Sequence, residues 1–351
     1  MAWRFGDTFR HYGTATVPLA KWNGGFSRYA IKTTGGRDDG PCLELNFGTF
    51  GVRGWFAAAN TDTIDEMVAG TRFKPADAPV TIMQFRHFAN NAVHVTIGLD
   101  SLQRVCAWRG TQTSGVLLAT GRAIPLNSYT YVEAKVKVSD AAGTVEVRLN
   151  GSPTPEFALT AQDTCTGVTP LITHFSLGHY APTLADSISS IYSSFHCDFY
   201  LCDTTGPDNN DFLGELRGDL MLPDAPGANQ DFTPSTGSDH EAVIDEVPPS
   251  ATDYLESSVT GDKDTHTVTP LTGIDNIVAV QINNWFFKSD AGYAAGRSLL
   301  VSGATEDTGV TLAAPLDPIY QLDSWELDPN TSAAWTLANL NAIEIGTENV
   351  T

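Results

Sequence analysis

The chain has no stretch approaching the roughly 20 consecutive apolar residues that a membrane-spanning helix requires, so neither a helical anchor nor a membrane partner is expected. Its opening, MAWRFGDTFRHYG, lacks the basic-then-apolar pattern of a secretory leader, and the expectation is synthesis and folding in a cytosol. Cysteine is scarce. The five residues Cys42, Cys106, Cys165, Cys197 and Cys202 are odd in number and scattered, which in a cytosolic product points to buried free thiols rather than a disulfide framework. Cys197-x4-Cys202 is not a zinc spacing and has no matching pair. No G-x-S-x-G elbow, H-E-x-x-H helix or glycine-rich phosphate loop occurs. The eight histidines have no paired metal spacing; in the closest, His174-x4-His179, a strand would aim the two rings to opposite faces. Basic residues are also few: 20 Lys and Arg stand against 41 Asp and Glu, a net charge of -21.

The shortage of bases is local. Residues 1–205 hold 16 basic and 17 acidic residues, net −1, whereas residues 206–351 hold 4 and 24, net −20. So sharp a change predicts a domain boundary near residue 205. It excludes nucleic acid as a partner of the second half, whose charge would repel phosphates, and makes either a solubilising surface or docking to a basic protein surface the use of that charge.

What is present is β-strand signal. The most regular stretch is Tyr129 to Gly151, YTYVEAKVKVSDAAGTVEVRLNG. Val132, Ala134, Val136 and Val138 alternate with Glu133, Lys135 and Lys137; then Val145, Val147 and Leu149 alternate with Glu146 and Arg148. Period-two alternation means one dry and one wet face. Ser139 to Gly143 supplies turn residues, and Asn150-Gly151 a second tight turn. The pattern predicts a half-buried antiparallel hairpin with cross-strand charge pairs on its wet face and a second sheet over its dry one. Short strands every 8–15 residues fill Trp3 to Leu201, the spacing of a sandwich or jelly roll. One interruption is expected, a helical turn capped by Thr61 or Asp62. Asp203 to Asp211 is a dense turn cluster, and 212–250 reads as an extended Asp/Pro/Gly/Ser-rich connection with a brief strand signal at 215–222. A second β region follows from 251, including Ile277 to Lys288. Near the end, Thr331 or Ser332 is expected to cap a turn that places Trp335 and Leu337 against Leu340. The expected layout is 1–205, a connection 206–250, and an acidic β domain 251–351.

The block ATGRAIPLNSYTYVEAKVKVSDAAGTVEVRLNG, with HFSLGHY and HCDFYLCD beyond it, resembles the concanavalin A-like lectin/glucanase (laminin-G-like) jelly roll. With the opening FGDTFRHYGTA, then DFYLCDTTGPDNNDFLGELR, FTPSTGSDHEAVIDE and the closing DPNTSAAWTLANLNAIEIG, the whole chain resembles structural proteins of tailed-bacteriophage virions. The resemblance implies an all-β protein: a concanavalin A-like jelly-roll sandwich followed by a smaller acidic β-sandwich-like domain. It implies a non-enzymatic virion component, made in the host cytoplasm and placed on the tail (fibre, spike or baseplate region) or as a capsid decoration. Such a component assembles as a homo-oligomer, a trimer being favoured, with other virion proteins as partners and host-surface polysaccharide as a further one. The alternative is a saccharide-binding adhesin, and after it a polysaccharide depolymerase.

Jelly-roll glycosidases place carboxylates at E-x-D-x-E spacing so that all face one cleft. Here Asp62, Asp65 and Glu66, and Glu241, Asp245 and Glu246, are adjacent or oddly spaced and would face both ways, so no catalytic residue is assigned. Asp203, Asp208, Asn209, Asn210 and Asp211 offer hard oxygens for a calcium ion, the one candidate cofactor. Trp55, Trp108 with Arg109, and Tyr180 are the candidate saccharide platforms. Trp285, Phe286 and Phe287 are the candidate interface, because three consecutive aromatics on a strand cannot share one core.

Overall fold

A computed structural model of the chain describes residues 2–12, 22, 29–45, 53–55, 64–87, 92–167, 169–179 and 193–351. Two compact units divide it, Met1–Gly218 and Asp219–Thr351.

In the first unit two antiparallel sheets are stacked. The larger runs, in spatial order, Phe157–Gln162, Gly143–Leu149, Thr130–Lys137, Glu66–Pro75, Ser194–Asp203, Cys42–Leu45 and Tyr29–Lys32, with Trp3–Asp7 also paired to Ser194–Asp203. The smaller has six strands: Arg53–Trp55, His174–Leu177, Val80–His87, Ala92–Leu99, Arg104–Arg109 and Val116–Ala123. Phe175 joins the layers, meeting Phe85 edge-on within its own sheet and stacking on Phe199 of the other. The hairpin forms in the expected register, with Val132 opposite Leu149, Ala134 opposite Val147 and Val136 opposite Val145, all buried. Each of the valine and leucine side chains contributes about 1.5–3 kcal/mol on burial. Asn150 and Gly151 both take positive φ, as a primed hairpin turn demands. Gly143 is required for a different reason: a Cβ there would collide with Thr164. All five cysteines are free and buried.

The charges on the hairpin's wet face do not pair as expected. Glu133 lies opposite Arg148, and Lys135 opposite Glu146, but residues 211–218 cover this face and take the partners. Lys135 meets Asp211 at 3.2 Å, and the Arg148 guanidinium lies 4.0 Å above the Phe212 ring. Glu133 accepts from the Gly214 N–H at 2.9 Å, and the Gly218 N–H donates to Asp198 at 3.2 Å. Residues 206–218, expected to open a connection, thus belong to the first unit. The helical turn expected to be capped by Thr61 or Asp62 starts outside the described residues; the stretch after it, Glu66–Pro75, is a ten-residue strand inside the sheet, with Met67, Val68, Ala69 and Phe73 buried.

The second unit has a six-stranded sheet in the order Pro223–Gln230, Lys263–Val268, Glu344–Asn349, Ala295–Ser302 and Thr305–Thr308, with Leu312–Ala313 also on Ala295–Ser302. A ribbon of Val280–Phe286 and Ile319–Trp325 forms a second layer. Val268, Ile282, Leu300, Trp325, Trp335, Leu340 and Ile343 are the core of this unit. Pro223–Gln230 lies in the segment read as a connection. Its two prolines are tolerated because the strand is at the sheet edge, where a missing N–H costs no ladder bond. The last turn is capped by Thr336, whose side chain accepts from the Asn339 N–H, not by Thr331 or Ser332; Trp335 and Leu340 still reach the core.

Candidate functional site

The six strands of the smaller sheet in the first unit contain no aspartate and no glutamate, but they contain Arg53, Arg86, Arg104, Arg109 and Arg122 and three histidines. In a chain of net charge -21 this is a local inversion of composition. The larger sheet of the same unit carries the acids, among them Asp7, Glu44, Glu66, Glu133, Glu146 and Asp198.

Residues directly opposite in an antiparallel ladder share a face. Phe85, Phe175, Val95 and Ile97 point to the sandwich core, so the alternate residues point outward. Gln84 pairs with Ser176 on one side and Thr96 on the other, and Thr96 pairs with Trp108. Arg86 pairs with His174 in the next register, and residue 55 lies opposite His174. The outward face therefore carries Gln84, Arg86, Thr96, Trp108, His174 and Ser176, all buried. Burying polar groups is unfavourable unless they are hydrogen-bonded, and these are linked. Arg86 Nη1 donates to Ser176 Oγ at 3.3 Å, Gln84 Nε2 donates to Thr96 Oγ1 at 3.2 Å, and Thr96 Oγ1 donates to the Gly110 carbonyl at 2.7 Å. The row reaches solvent at Leu117, opposite Trp108 and 53% exposed.

His94 marks a bulge, since Phe85 pairs with Val95 and Arg86 already with Val93. Its Nδ1 accepts the Thr166 N–H at 3.2 Å, which fixes the proton on Nε2. Burial, with His87 adding to it, pushes His94 down to about 4, so the ring is neutral at pH 7. Of the arginines with described side chains, Arg104 meets Asp100, Arg109 meets Asp163 and Arg122 meets Glu156; these acids lie outside the strands.

The candidates from sequence distribute as follows. Trp108 is on the polar face. Arg109, its neighbour along the strand, points the other way and pairs with Asp163. Trp55 ends the edge strand of this sheet, with its side chain outside the described residues, and Tyr180 lies outside them altogether. Asp203 is buried against Arg4 at 2.5 Å and accepts from Thr205, while Asp211 meets Lys135; Asp208 and Asn209 sit in the turn between. Among the described residues no three His, Cys, Asp or Glu side chains are grouped so as to hold a metal ion. Trp285, Phe286 and Phe287 lie in the second unit at the end of the ribbon, half-buried. Gln84, Arg86, His174 and Ser176 were not assigned from sequence. The signal that could have found them is the absence of acids from every strand of one sheet.

No family model matches the chain, and no curated protein matches it in sequence. Solved structures do. The marine PL-14 alginate lyase from Aplysia kurodai is 8% identical with a TM-score of 0.43, the match covering 57% of this chain and 99% of that one. Alginate lyase Aly36B is 10% identical with a TM-score of 0.36, covering 57% and 97%. A Trypanosoma rangeli sialidase is 11% identical with a TM-score of 0.32, covering 56% of this chain but only 34% of that one. The fold is an all-β jelly-roll sandwich. The expectation of a non-enzymatic chain is set aside: the solved structures the chain is similar to are alginate lyases and a sialidase.

Proposed function

We propose that the first unit recognises an anionic polysaccharide through the outward face of its six-stranded sheet. The observation that carries this reading is the sheet's composition: no carboxylate on any of its six strands, and five arginines, of which Arg104 stands exposed on the Trp108 side while Arg109 points the other way, in an otherwise acidic chain. A guanidinium offers planar paired donors to a sugar carboxylate or sulfate. Gln84, Arg86, Thr96, Trp108, His174 and Ser176 are buried and form the polar layer beneath; the groups within reach of a glycan are the exposed Arg104 guanidinium and the edge strand at Leu117. A neutral glycan would not call for such segregation, and a strand carboxylate would oppose an anionic one. The same composition argues against glycoside hydrolysis on this sheet, which needs two carboxylates about 5–9.5 Å apart.

The tailed-phage setting implied by the sequence resemblance fits this reading, since host-surface polysaccharide is what such a particle meets first. Imaging of purified particles of the parent virus tests it; particles lacking this chain would remove the setting and leave the binding reading untouched.

Binding is tested with a panel of anionic and neutral polysaccharides, beginning with alginate, and the same incubations are followed for release of oligosaccharides. Binding of at least one polyuronate or sulfated polymer, with neutral glucans inert, supports the proposal. Leu117→Glu, at an exposed position, is expected to weaken that binding by about tenfold, equivalent to about 1.4 kcal/mol. Preference for neutral glycans, or no effect of the added charge, would overturn it.

A further inference from the structure

The second unit carries an apolar patch that its own fold leaves uncovered. At the end of the ribbon Trp285 lies opposite Tyr320, its ring 5.9 Å from that of Phe287, which in turn lies 6.5 Å from Tyr254. The chain then folds over so that the Lys288 N–H donates to the Pro315 carbonyl and the Ala314 N–H to the Ala294 carbonyl. This brings Tyr293 and Leu316 to the same end of the unit, where they are 72% and 59% exposed. Trp285, Phe287, Tyr254 and Tyr320 are each only half-buried. Isolated exposed apolar residues need no explanation, but four half-buried aromatics beside two exposed apolar side chains in one place do.

The charge around the patch says what covers it. The unit, residues 219–351, holds 3 basic and 21 acidic residues, net −18. Each base is already engaged: Lys263 with Glu306 at 2.5 Å, Arg297 with Glu348 at 2.8 Å, and the Lys288 amine with the Gly292 carbonyl at 2.5 Å. Asp253, Asp290 and Asp317 stand within a few residues of Tyr254, Tyr293 and Leu316. A second copy docked here would bring a like charge of the same size against this rim. A cationic partner would bring the opposite one, steering encounter and favouring contact.

We infer that the Trp285–Phe287–Tyr293–Leu316 patch docks onto a basic protein surface, one with an apolar centre rimmed by lysine or arginine. The apolar centre supplies the buried contact and the acidic rim selects the partner, as in protein interfaces generally. This site is independent of the polysaccharide face of the first unit.

The test uses the full chain and two peptides of equal positive charge: a hairpin with one Lys/Arg face and one Leu/Trp face, and an oligolysine. Binding is read by calorimetry at two salt concentrations. The expected result is binding of the amphipathic hairpin at least tenfold tighter than of oligolysine, weakened by salt. A Tyr293→Ser, Leu316→Ser double variant should lose about tenfold at an unchanged unfolding temperature. Equal affinity for the two peptides would reduce the effect to bulk charge and overturn the inference. Undiminished binding by the double variant would overturn it too. So would a self-association by light scattering that the double variant abolishes, which would assign the patch to a second copy.

Discussion

The covering of the hairpin by residues 211–218 turns on one buried carboxylate. Glu133 is buried, accepts from the Tyr200 hydroxyl at 2.5 Å and from the Gly214 N–H at 2.9 Å, and leaves Oε2 unmatched. The Tyr200 oxygen also accepts the Leu213 N–H at 3.2 Å. Tyr200→Phe therefore removes a charge-assisted bond and orphans an amide, with little change in shape. A hydrogen bond to a charged group is worth about 1.5–3 kcal/mol and an orphaned donor costs about 1–3 kcal/mol, so a loss of about 2.5–6 kcal/mol is expected. Burial, only partly offset by Tyr200 and Gly214, raises the Glu133 carboxyl above its ordinary value of 4.5. The sign follows from linkage: stability from this group is full below about pH 4.5 and is lost as pH rises through the raised value. Glu133→Gln should then flatten that part of the pH profile and make Tyr200→Phe less costly. The assay is urea unfolding of the wild type, the two single variants and their double variant at pH 5 and pH 8, with hydrogen exchange of the Leu213 and Gly214 amides as the local reading. A Tyr200→Phe cost under about 0.5 kcal/mol, or unchanged exchange at those amides, would refute the argument.

Arg37 and Asp198 form a buried pair at 2.9 Å, with the Gly218 N–H also donating to the carboxylate. Arg37→Ala removes the nearer of the two bases on that charge, Arg72 Nε standing 3.9 Å away, and should cost about 3 kcal/mol, the low end for a broken buried pair, by chemical denaturation; a cost near zero would show that Arg72 or water replaces the guanidinium. His94 and His196 are held down to about 4 and about 3 by burial. Both are neutral in the fold and protonate on unfolding, so their contribution is full above about pH 6.5 and is lost as pH falls toward those values. Ring-carbon NMR titration should show neither imidazole charging above pH 5, and a midpoint near 6.5 would contradict the burial argument.

The fold was legible where the residue pattern is strictly local. Val132 to Val138 and Val145 to Leu149 alternate without a break, and the Ser139–Gly143 turn joins them, so the hairpin follows from sequence alone. Strand Glu66–Pro75 is buried along most of its length and lacks that alternation, so period-two patterning gives it no signal. Pro223–Gln230 was hidden by its prolines. The partners of Glu133 were not readable, because Tyr200 and Gly214 lie 67 and 81 residues away along the chain, and local spacing gives no hint of them. The polar face was partly legible through Trp108. Arg86, His174 and Ser176 come from strands that only the topology brings together, and the missing acids become a signal once those strands are known to form one sheet.

The central claim is that the acid-free sheet binds a polyanionic glycan, and the most direct measurement is calorimetric titration of the best-bound anionic polysaccharide into the wild-type chain and into Arg104→Lys, whose side chain is 43% exposed on the Trp108 side of the sheet. Lysine keeps the charge but loses the planar pair of donors. The account predicts saturable wild-type binding, at least tenfold weakening by Arg104→Lys with unfolding unchanged, and insensitivity to Arg109→Gln on the other side of the sheet. Equal binding by wild type and Arg104→Lys, or loss of binding in Arg109→Gln alone, would contradict it.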